Sequence, residues 1–242
     1  MAELGSTAST GGRLRPVIAI DGPAGAGKST LAAHLARRFG FLNLETGAMY
    51  RALALKAIEH DLDLDEEAAL LALCGVTTIH LEPTRDGNRV VLDGVDVSRR
   101  IRDADVTAAA SRASVHARVR EWMVGQQRAL GAAGGVVMEG RDIGTAVFPD
   151  AEVKIFLDAA PEVRGSRRYR QVASSEHEAV KATEAAVLEE MRERDARDRS
   201  RVESPLRAAE DAIVLDSTAL SLDEVLARSE AIVREHLPAE PA

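Results

Sequence analysis

One cysteine, Cys74, is all that this 242-residue chain contains, so an intramolecular disulfide framework is excluded and a reducing, cytoplasmic setting is expected. Cys74 lies in Ala69-Leu70-Leu71-Ala72-Leu73-Cys74, where a small core residue is a better reading than a nucleophile. Long hydrophobic runs are missing too, and no stretch reaches the length of a membrane span. The opening residues, Met1 to Gly12, have neither the basic start nor the apolar centre of a secretory signal; residues 1–15 and 238–242 read as disordered tails. Net positive charge is absent: the formal charge is −8 at pH 7, which argues against DNA or RNA as a partner. No internal repeat and no guanine-reading Asn-Lys-x-Asp stretch occur. The 45% hydrophobic content suits one large domain, or a core with inserted subdomains.

What is present begins with Gly22-Pro23-Ala24-Gly25-Ala26-Gly27-Lys28-Ser29-Thr30, which matches the phosphate-binding pattern G-x-x-x-x-G-K-[ST]. Pro16 to Asp21 before it reads as a buried strand, and Leu31, Leu35 and Phe39 after it recur at helical spacing. Strand, glycine-rich turn and helix together favour a phosphate cradle over a turn with an incidental lysine. Backbone N–H groups would curl around phosphate oxygens, Lys28 would reach the β- and γ-phosphates, and the Ser29 hydroxyl would take a Mg²⁺.

Further along, Phe41 to Leu44 reads as a second strand and Ala48 onward as a helix, with Thr46 as its N-cap. Val76–Leu81, Arg89–Leu92 and Val95–Val97 read as a small antiparallel meander, with turns at Arg85–Asn88 and Asp93-Gly94. Ile101 to Leu130 returns to helical periodicity. Strands follow at Gly135–Asp142 and Ala151–Asp158, and a helix runs from Pro161 to Gln171, its signal fading near Ser174-Ser175. A charged helix covers about Thr183 to Arg199, then a strand Ala212–Asp216 and a helix Ser221–His236 capped by Ser221 or Asp223. The expected fold class is α/β, a parallel sheet wrapped by helices, with ligands at the carboxyl ends of its strands.

Four polar clusters fall where such a fold would gather them: Thr46 with Arg51, Ser111 with Arg120, Arg141 with Asp142, and the arginines of 164–201. Taken singly, each reads as a solvated helix face or a surface ion pair, and the alternating signs of Arg192 to Arg199 would stabilise an exposed helix. Beside a phosphate loop, arginine's planar fork gives them a second reading as phosphate and base contacts.

The loop, Glu45-Thr46-Gly47-Ala48-Met49-Tyr50-Arg51, the block Glu139 to Ala151 and Glu193 to Arg199 together resemble the bacterial cytidylate kinases, nucleoside monophosphate kinases of the P-loop class, from Val17 to His236. Glu45 and Glu139 stand where that family commonly has aspartate. The resemblance implies a single kinase domain, 16–237, with a core of 16–45, 131–160 and 208–237. It further implies an acceptor-binding region at about 46–130 and a lid at about 161–207. It implies ATP on Gly22 to Thr30 with Mg²⁺ at Ser29, and CMP or dCMP on Thr46, Arg51, Ser111, Arg120, Arg141, Asp142, Asp198 and Arg201. Arg51 and Arg141 would then meet the acceptor phosphate, and Ser111, Arg120 and Asp142 the cytosine. Arg168 and Arg194 would join Lys28 around the transferring group. Residues 46–51 and 164–201 are expected to move on binding, in a monomer without a membrane or nucleic-acid partner. Two other readings stay open: a kinase for a different small acceptor such as UMP, and a nucleotide-dependent switch.

Overall fold

The computed structural model describes residue 13 and residues 15–84, 87–173 and 183–237. Five parallel strands form the main sheet: β1 (Val17–Asp21), β2 (Leu42–Glu45), β6 (Val136–Glu139), β7 (Val153–Asp158) and β8 (Ile213–Asp216), in the order β2-β6-β1-β7-β8. β1 lies at the centre and is buried at every position, as a strand covered on both faces must be. Its side chains alternate between two cores. Val17 and Ala19 join Val136 and Met138 under the helices α2 (Thr46–Glu59), α3 (Glu67–Cys74), α4 (Ala104–Ala113) and α5 (Ala117–Gly131). Ile18 and Ile20 join Val137, Ile155 and Leu157 under α1 (Lys28–Phe39) and α8 (Leu222–His236).

A separate sheet of three antiparallel strands, β3 (Ile79–Thr84), β4 (Gly87–Leu92) and β5 (Val95–Asp96), interrupts the α/β alternation as expected. Asp93 and Gly94, both with positive φ, make the tight turn between its last two strands. One side chain docks this sheet onto the main one. Asn88 donates to the Asn43 carbonyl at 2.7 Å and accepts from the Glu45 N–H at 2.9 Å, occupying the open edge of β2 where it runs into α2. A hairpin of α6 (Pro161–Ala173) and α7 (Glu184–Ser200) packs over the loop between β1 and α1. Ser221 caps α8 in a full capping box with Glu224, and Thr183 caps α7. No helix among the described residues is long and apolar enough to cross a membrane.

The structure departs from the expectations in several places. Thr46 is the first residue of α2 rather than its cap, and its hydroxyl donates instead to the Glu139 carbonyl at 2.8 Å. The stretch read as one helix over 101–130 is divided at Ser114–His116. Arg120 donates back to the Ser114 carbonyl across that break, so Ser111 and Arg120 come to one side. The helix α3 was not anticipated. Arg13 and Arg15, expected in a tail, are engaged: Arg13 donates to Asp150 and Glu152, and Arg15 to the Gly40 carbonyl. The rest of that tail, the turn residues Arg85 and Asp86, the fading helix end at Ser174-Ser175 and the tail 238–242 lie outside the described residues.

Candidate active site

β1 delivers the chain into the loop Gly22–Gly27, and α1 begins at Lys28. Two glycines are required by geometry. A Cβ at Gly22 (φ 147°) would lie 2.0 Å from the Leu157 carbonyl oxygen, and one at Gly25 (φ 72°) would lie 3.0 Å from the Arg164 carbonyl oxygen. Behind the loop sits a buried ion pair: Arg164 donates to Asp195 at 2.6 Å and to the Ala24 carbonyl at 2.9 Å, and Asp195 accepts from the Ala24 N–H at 3.4 Å. The α6–α7 hairpin is thereby tied to the loop at its base.

Lys28 is buried and donates to the Pro23 carbonyl at 2.8 Å. Burial, then the positive charges of Arg141 and Arg194, push its ammonium down to about 7. The Ser29 hydroxyl donates to the Glu139 carboxylate at 2.6 Å, and burial pushes the Glu139 carboxyl up. Asp21, buried at the end of β1, is pushed up to about 7 by the same cause, although it accepts from the Ile143 and Gly144 N–H groups at 2.8 and 2.7 Å.

A cleft of about 880 Å³ opens at the carboxyl ends of the strands. Ala24 to Thr30, Thr46, Arg51, Ser111, Arg120, Arg141, Asp142, Arg168, Arg194, Asp198 and Arg201 all line it. Gly22 and Pro23, at the start of the loop, do not.

Away from the loop, cations and carboxylates are matched. Arg120 is hydrogen-bonded to Asp142, both nearly fully buried. Asp198 accepts from Arg141 Nε at 2.9 Å and lies 3.5 Å from Arg201 Nη1. Burial works against its charge, but Arg141, Arg201 and Arg194 hold its carboxyl below the ordinary value. Arg51 donates to Glu45 at 2.5 Å, and Glu45 is likewise held low against its burial. Arg168 donates to Gln171 at 3.1 Å. Arg194 makes no direct ion pair among the described residues; burial, then Arg141, lower it to about 10. Several buried polar atoms here have no hydrogen-bond partner among the described residues: Tyr50 OH, Arg51 Nε, Ser111 Oγ, Arg120 Nε and Arg201 Nη2. Orphans of this kind are costly and normally few, so their concentration in one half of a cleft points to a polar ligand there.

A sequence model of the family described as cytidylate kinase matches residues 18–235, nearly the whole chain. The chain belongs to the cytidylate kinase family. It is 48% identical over 225 residues to the cytidylate kinase of Aeromonas salmonicida (strain A449), covering 93% of this chain and 96% of that one. To the cytidylate kinase of Proteus mirabilis (strain HI4320) it is 46% identical over 220 residues, 91% of this chain and 96% of that one. For that of Enterococcus faecalis (strain ATCC 700802 / V583) the identity is 44% over 218 residues, 90% and 95% of the two chains.

The cleft of this cytidylate kinase family member also contains residues the sequence reading did not single out. Glu45, Tyr50, Arg102 and Ser114 line the half with the matched charges. Arg167, Ser217, Leu220 and Leu226 line the other end, where Arg167 donates to the Ser217 hydroxyl and carbonyl, each at 3.0 Å. Glu45 and Tyr50 had a signal, since both stand inside the Glu45–Arg51 stretch. Arg167 had none that separated it from Arg164, Arg168 and Arg170 on the same helix.

Proposed function

We propose that the protein transfers the γ-phosphoryl group of ATP to the phosphate of CMP and dCMP, giving CDP and dCDP. The observation that carries this reading is electrostatic. Arg141 beside the acceptor half depresses the protonation of both Lys28 of the phosphate loop and Arg194 from α7, and Arg194 depresses that of Lys28, so both halves of the cleft converge on one cationic point. Two phosphates meeting there would face the charge that in-line transfer needs.

The acceptor phosphate is already an anionic nucleophile near neutral pH, so no strong general base is required. The residues' work is alignment and charge neutralisation. Arg51 and Arg141 hold the acceptor phosphate, exchanging Glu45 and Asp198 for phosphate oxygens. Asp142, oriented by Arg120, and Ser111 face the cytosine, while Asp198 and Arg201 meet its sugar and phosphate. Lys28 gives up the Pro23 carbonyl for the γ-phosphate, and Arg168 and Arg194 close on the transferring group. Of the loop Gly22 to Thr30, the residues Ala24 to Thr30 face the cleft and carry the ATP phosphates.

A divalent metal fits this site. The Ser29 hydroxyl and Glu139 carboxylate are adjacent hard oxygen donors, and no cluster of three or more His, Cys, Asp or Glu among the described residues could form a complete protein cage. That donor set suits Mg²⁺, which keeps waters and takes its other ligands from phosphates. Bound by Ser29 and Glu139, Mg²⁺ would neutralise charge on the phosphate oxygens.

The regions about 46–130 and 161–207 act as acceptor-binding region and lid around a core of 16–45, 131–160 and 208–237. The buried Arg164–Asp195 clamp supports motion of the hairpin beyond its base rather than of the whole segment, with closure excluding water from the γ-phosphate. The protein is read as a monomeric, cytoplasmic enzyme without nucleic-acid or membrane partners, a reading its net charge of −8 favours. A coupled assay over CMP, dCMP, UMP and AMP with ATP and Mg²⁺ tests the reading. ADP formation is expected with CMP and dCMP well above the others. Turnover highest with UMP or AMP, or ADP release independent of any acceptor, would overturn it.

A further inference from the structure

Asp142 reads the acceptor base in the proposed reaction, and the main chain that follows it sets its place. Beyond β6 the chain makes one wide helical turn of π type, Ile143–Val147. In it the Val147 N–H donates to the Asp142 carbonyl at 3.2 Å and the Phe148 N–H to the Ile143 carbonyl at 2.7 Å. Turns of this kind are rare, and the first N–H groups of any helix lack an intrahelical partner. Asp21, far earlier in the chain, supplies that partner twice. Its Oδ1 accepts from the Ile143 N–H at 2.8 Å and its Oδ2 from the Gly144 N–H at 2.7 Å. The approach is close: a Cβ at Gly144 would lie 3.3 Å from Asp21 Oδ2 and 3.2 Å from Lys154 Cδ.

The Ile143 N–H belongs to the same planar peptide unit as the Asp142 carbonyl. That unit is gripped on both edges, by Asp21 on its N–H and by the Ala146 and Val147 N–H groups on its oxygen, at 2.8 and 3.2 Å. Turning it would swing the Asp142 side chain, whose carboxylate is hydrogen-bonded to Arg120. Asp21 is also the last residue of β1, one position before Gly22, and Asp142 and Lys28 both act on its charge. A buried carboxylate is a costly way to hold a turn. Burial pushes this one up to about 7 in spite of its two N–H donors, so at neutral pH its charge destabilises the fold where a neutral side chain would not. What the carboxylate offers, and an amide does not, is two acceptor oxygens for two adjacent N–H groups.

We infer that Asp21 is a positioning residue for acceptor recognition: it fastens the peptide unit after Asp142 to the end of β1, and so fixes the base-reading carboxylate relative to the phosphate loop. Asp21 does not line the cleft and acts through Asp142. The inference rests on the acceptor reading proposed above.

The test is Asp21→Asn in the full-length protein, alone and combined with Asp142→Ala, assayed well below the melting temperature of each variant. An asparagine accepts from one of the two N–H groups and turns its own NH2 on the other. kcat/KM for CMP should fall about five- to tenfold, mainly through KM, and the preference for CMP over UMP should narrow by the same factor. Kd for ATP should be that of the parent, although Asp21 adjoins the phosphate loop. In the Asp142→Ala background the substitution should cost CMP less than about twofold, because the residue it acts through is gone. Gly144→Ala presses on the same contact with every charge left in place, and should give a CMP-specific loss of the same kind; it carries the test if Asp21→Asn does not fold. Unaltered CMP kinetics in these variants would overturn the inference. So would equal losses for CMP and ATP, or an undiminished CMP loss in the Asp142→Ala background. If the parent itself shows no preference for CMP, the acceptor reading falls first, and this inference with it.

Discussion

Asp142→Ala separates base recognition from phosphate binding. Asp142 is 5% exposed and Arg120 2%, and the two are joined by a charge-assisted hydrogen bond. The alanine variant removes one hydrogen bond made by a charged group to the bound base. That is worth about 1.5–3 kcal/mol, or roughly a 10- to 150-fold fall in kcat/KM for CMP. It also leaves the Arg120 guanidinium buried, with the Ser114 carbonyl at 3.2 Å as its remaining hydrogen-bond acceptor among the described residues. Stranding a buried charge costs about 3–5 kcal/mol, which in a chain of this size lowers Tm by roughly 6–20 °C. Steady-state kinetics well below the variant's Tm keep the two effects apart. Asp142→Asn is the control, since its amide oxygen still gives Arg120 an acceptor. It should recover most of the lost Tm and only part of the lost CMP selectivity. KM for ATP should be near that of the parent in both variants. Equal losses on CMP and ATP would refute the assignment.

Lys28→Ala should cut kcat by more than about a hundredfold while leaving the melting curve within a few degrees, because a buried ammonium crowded by Arg141 and Arg194 adds little to the fold; near-normal turnover would overturn the loop's role. Asp195→Asn should lower stability by the ~3 kcal/mol expected for breaking the buried pair with Arg164, a fall in Tm of roughly 6–12 °C, and should weaken ATP binding more than CMP binding, as titration of each nucleotide will show. Asn88→Ala should raise KM for CMP and leave that for ATP alone, since its two hydrogen bonds hold the end of β2 that carries Glu45 and leads directly into Thr46 and Arg51 of α2. Asp21 has a folded-state pKa near 7 against 3.8, so the native state holds its proton longer and stability falls as pH rises from about 4 to 7, by up to ~4 kcal/mol. Asp21→Asn should flatten that slope in denaturant titrations at several pH values; an unchanged slope would show that Asp21 is not its source.

The parallel sheet, the inserted meander and the phosphate loop were legible because each rests on a local pattern: two-residue alternation, glycine turns, or strand–glycine–helix spacing. The helix α3 was not, since Glu67–Cys74 is only eight residues long and apolar nearly all round, which leaves no periodic stripe to find. The acceptor role proposed for Ser111 and Arg120 comes from resemblance and not from pattern; the structure brings both to the cleft. What brings them together is a break at Ser114–His116 that no glycine or proline marks. In α7 the physical reading was inverted. Arg192 to Arg199 carries the alternating charge of a solvated helix, yet Val187, Met191, Asp195 and Asp198 form its buried face. Two carboxylates occupy positions where aliphatic residues would normally sit, and their partners Arg164 and Arg141 stand 31 and 57 residues away. Charge patterning within one helix cannot carry that information.

The arrangement of those buried charges also explains how a chain of net charge −8 can assemble arginines in one cleft without coming apart. Arg51, Arg120, Arg141 and Arg201 each have a carboxylate within the cleft, and the acids Glu45 and Asp198 are held ionised by that company. At the junction of the two halves the balance is withdrawn. There Lys28 and Arg194 are both pushed down, because burial and the charge of Arg141 outweigh the anions near them. An under-compensated cationic point inside an otherwise neutralised cleft attracts the most highly charged part of a ligand and rejects little else. Under the proposed reaction an incoming acceptor phosphate would exchange with Glu45 and Asp198, so binding there would be selective and reversible. At the junction a phosphate would displace no carboxylate from Lys28 or Arg194, and its charge would relieve the repulsion among three cations. The strongest electrostatic gain would then fall at the place and moment of phosphoryl transfer, which is where binding energy accelerates a reaction instead of merely retaining its substrates.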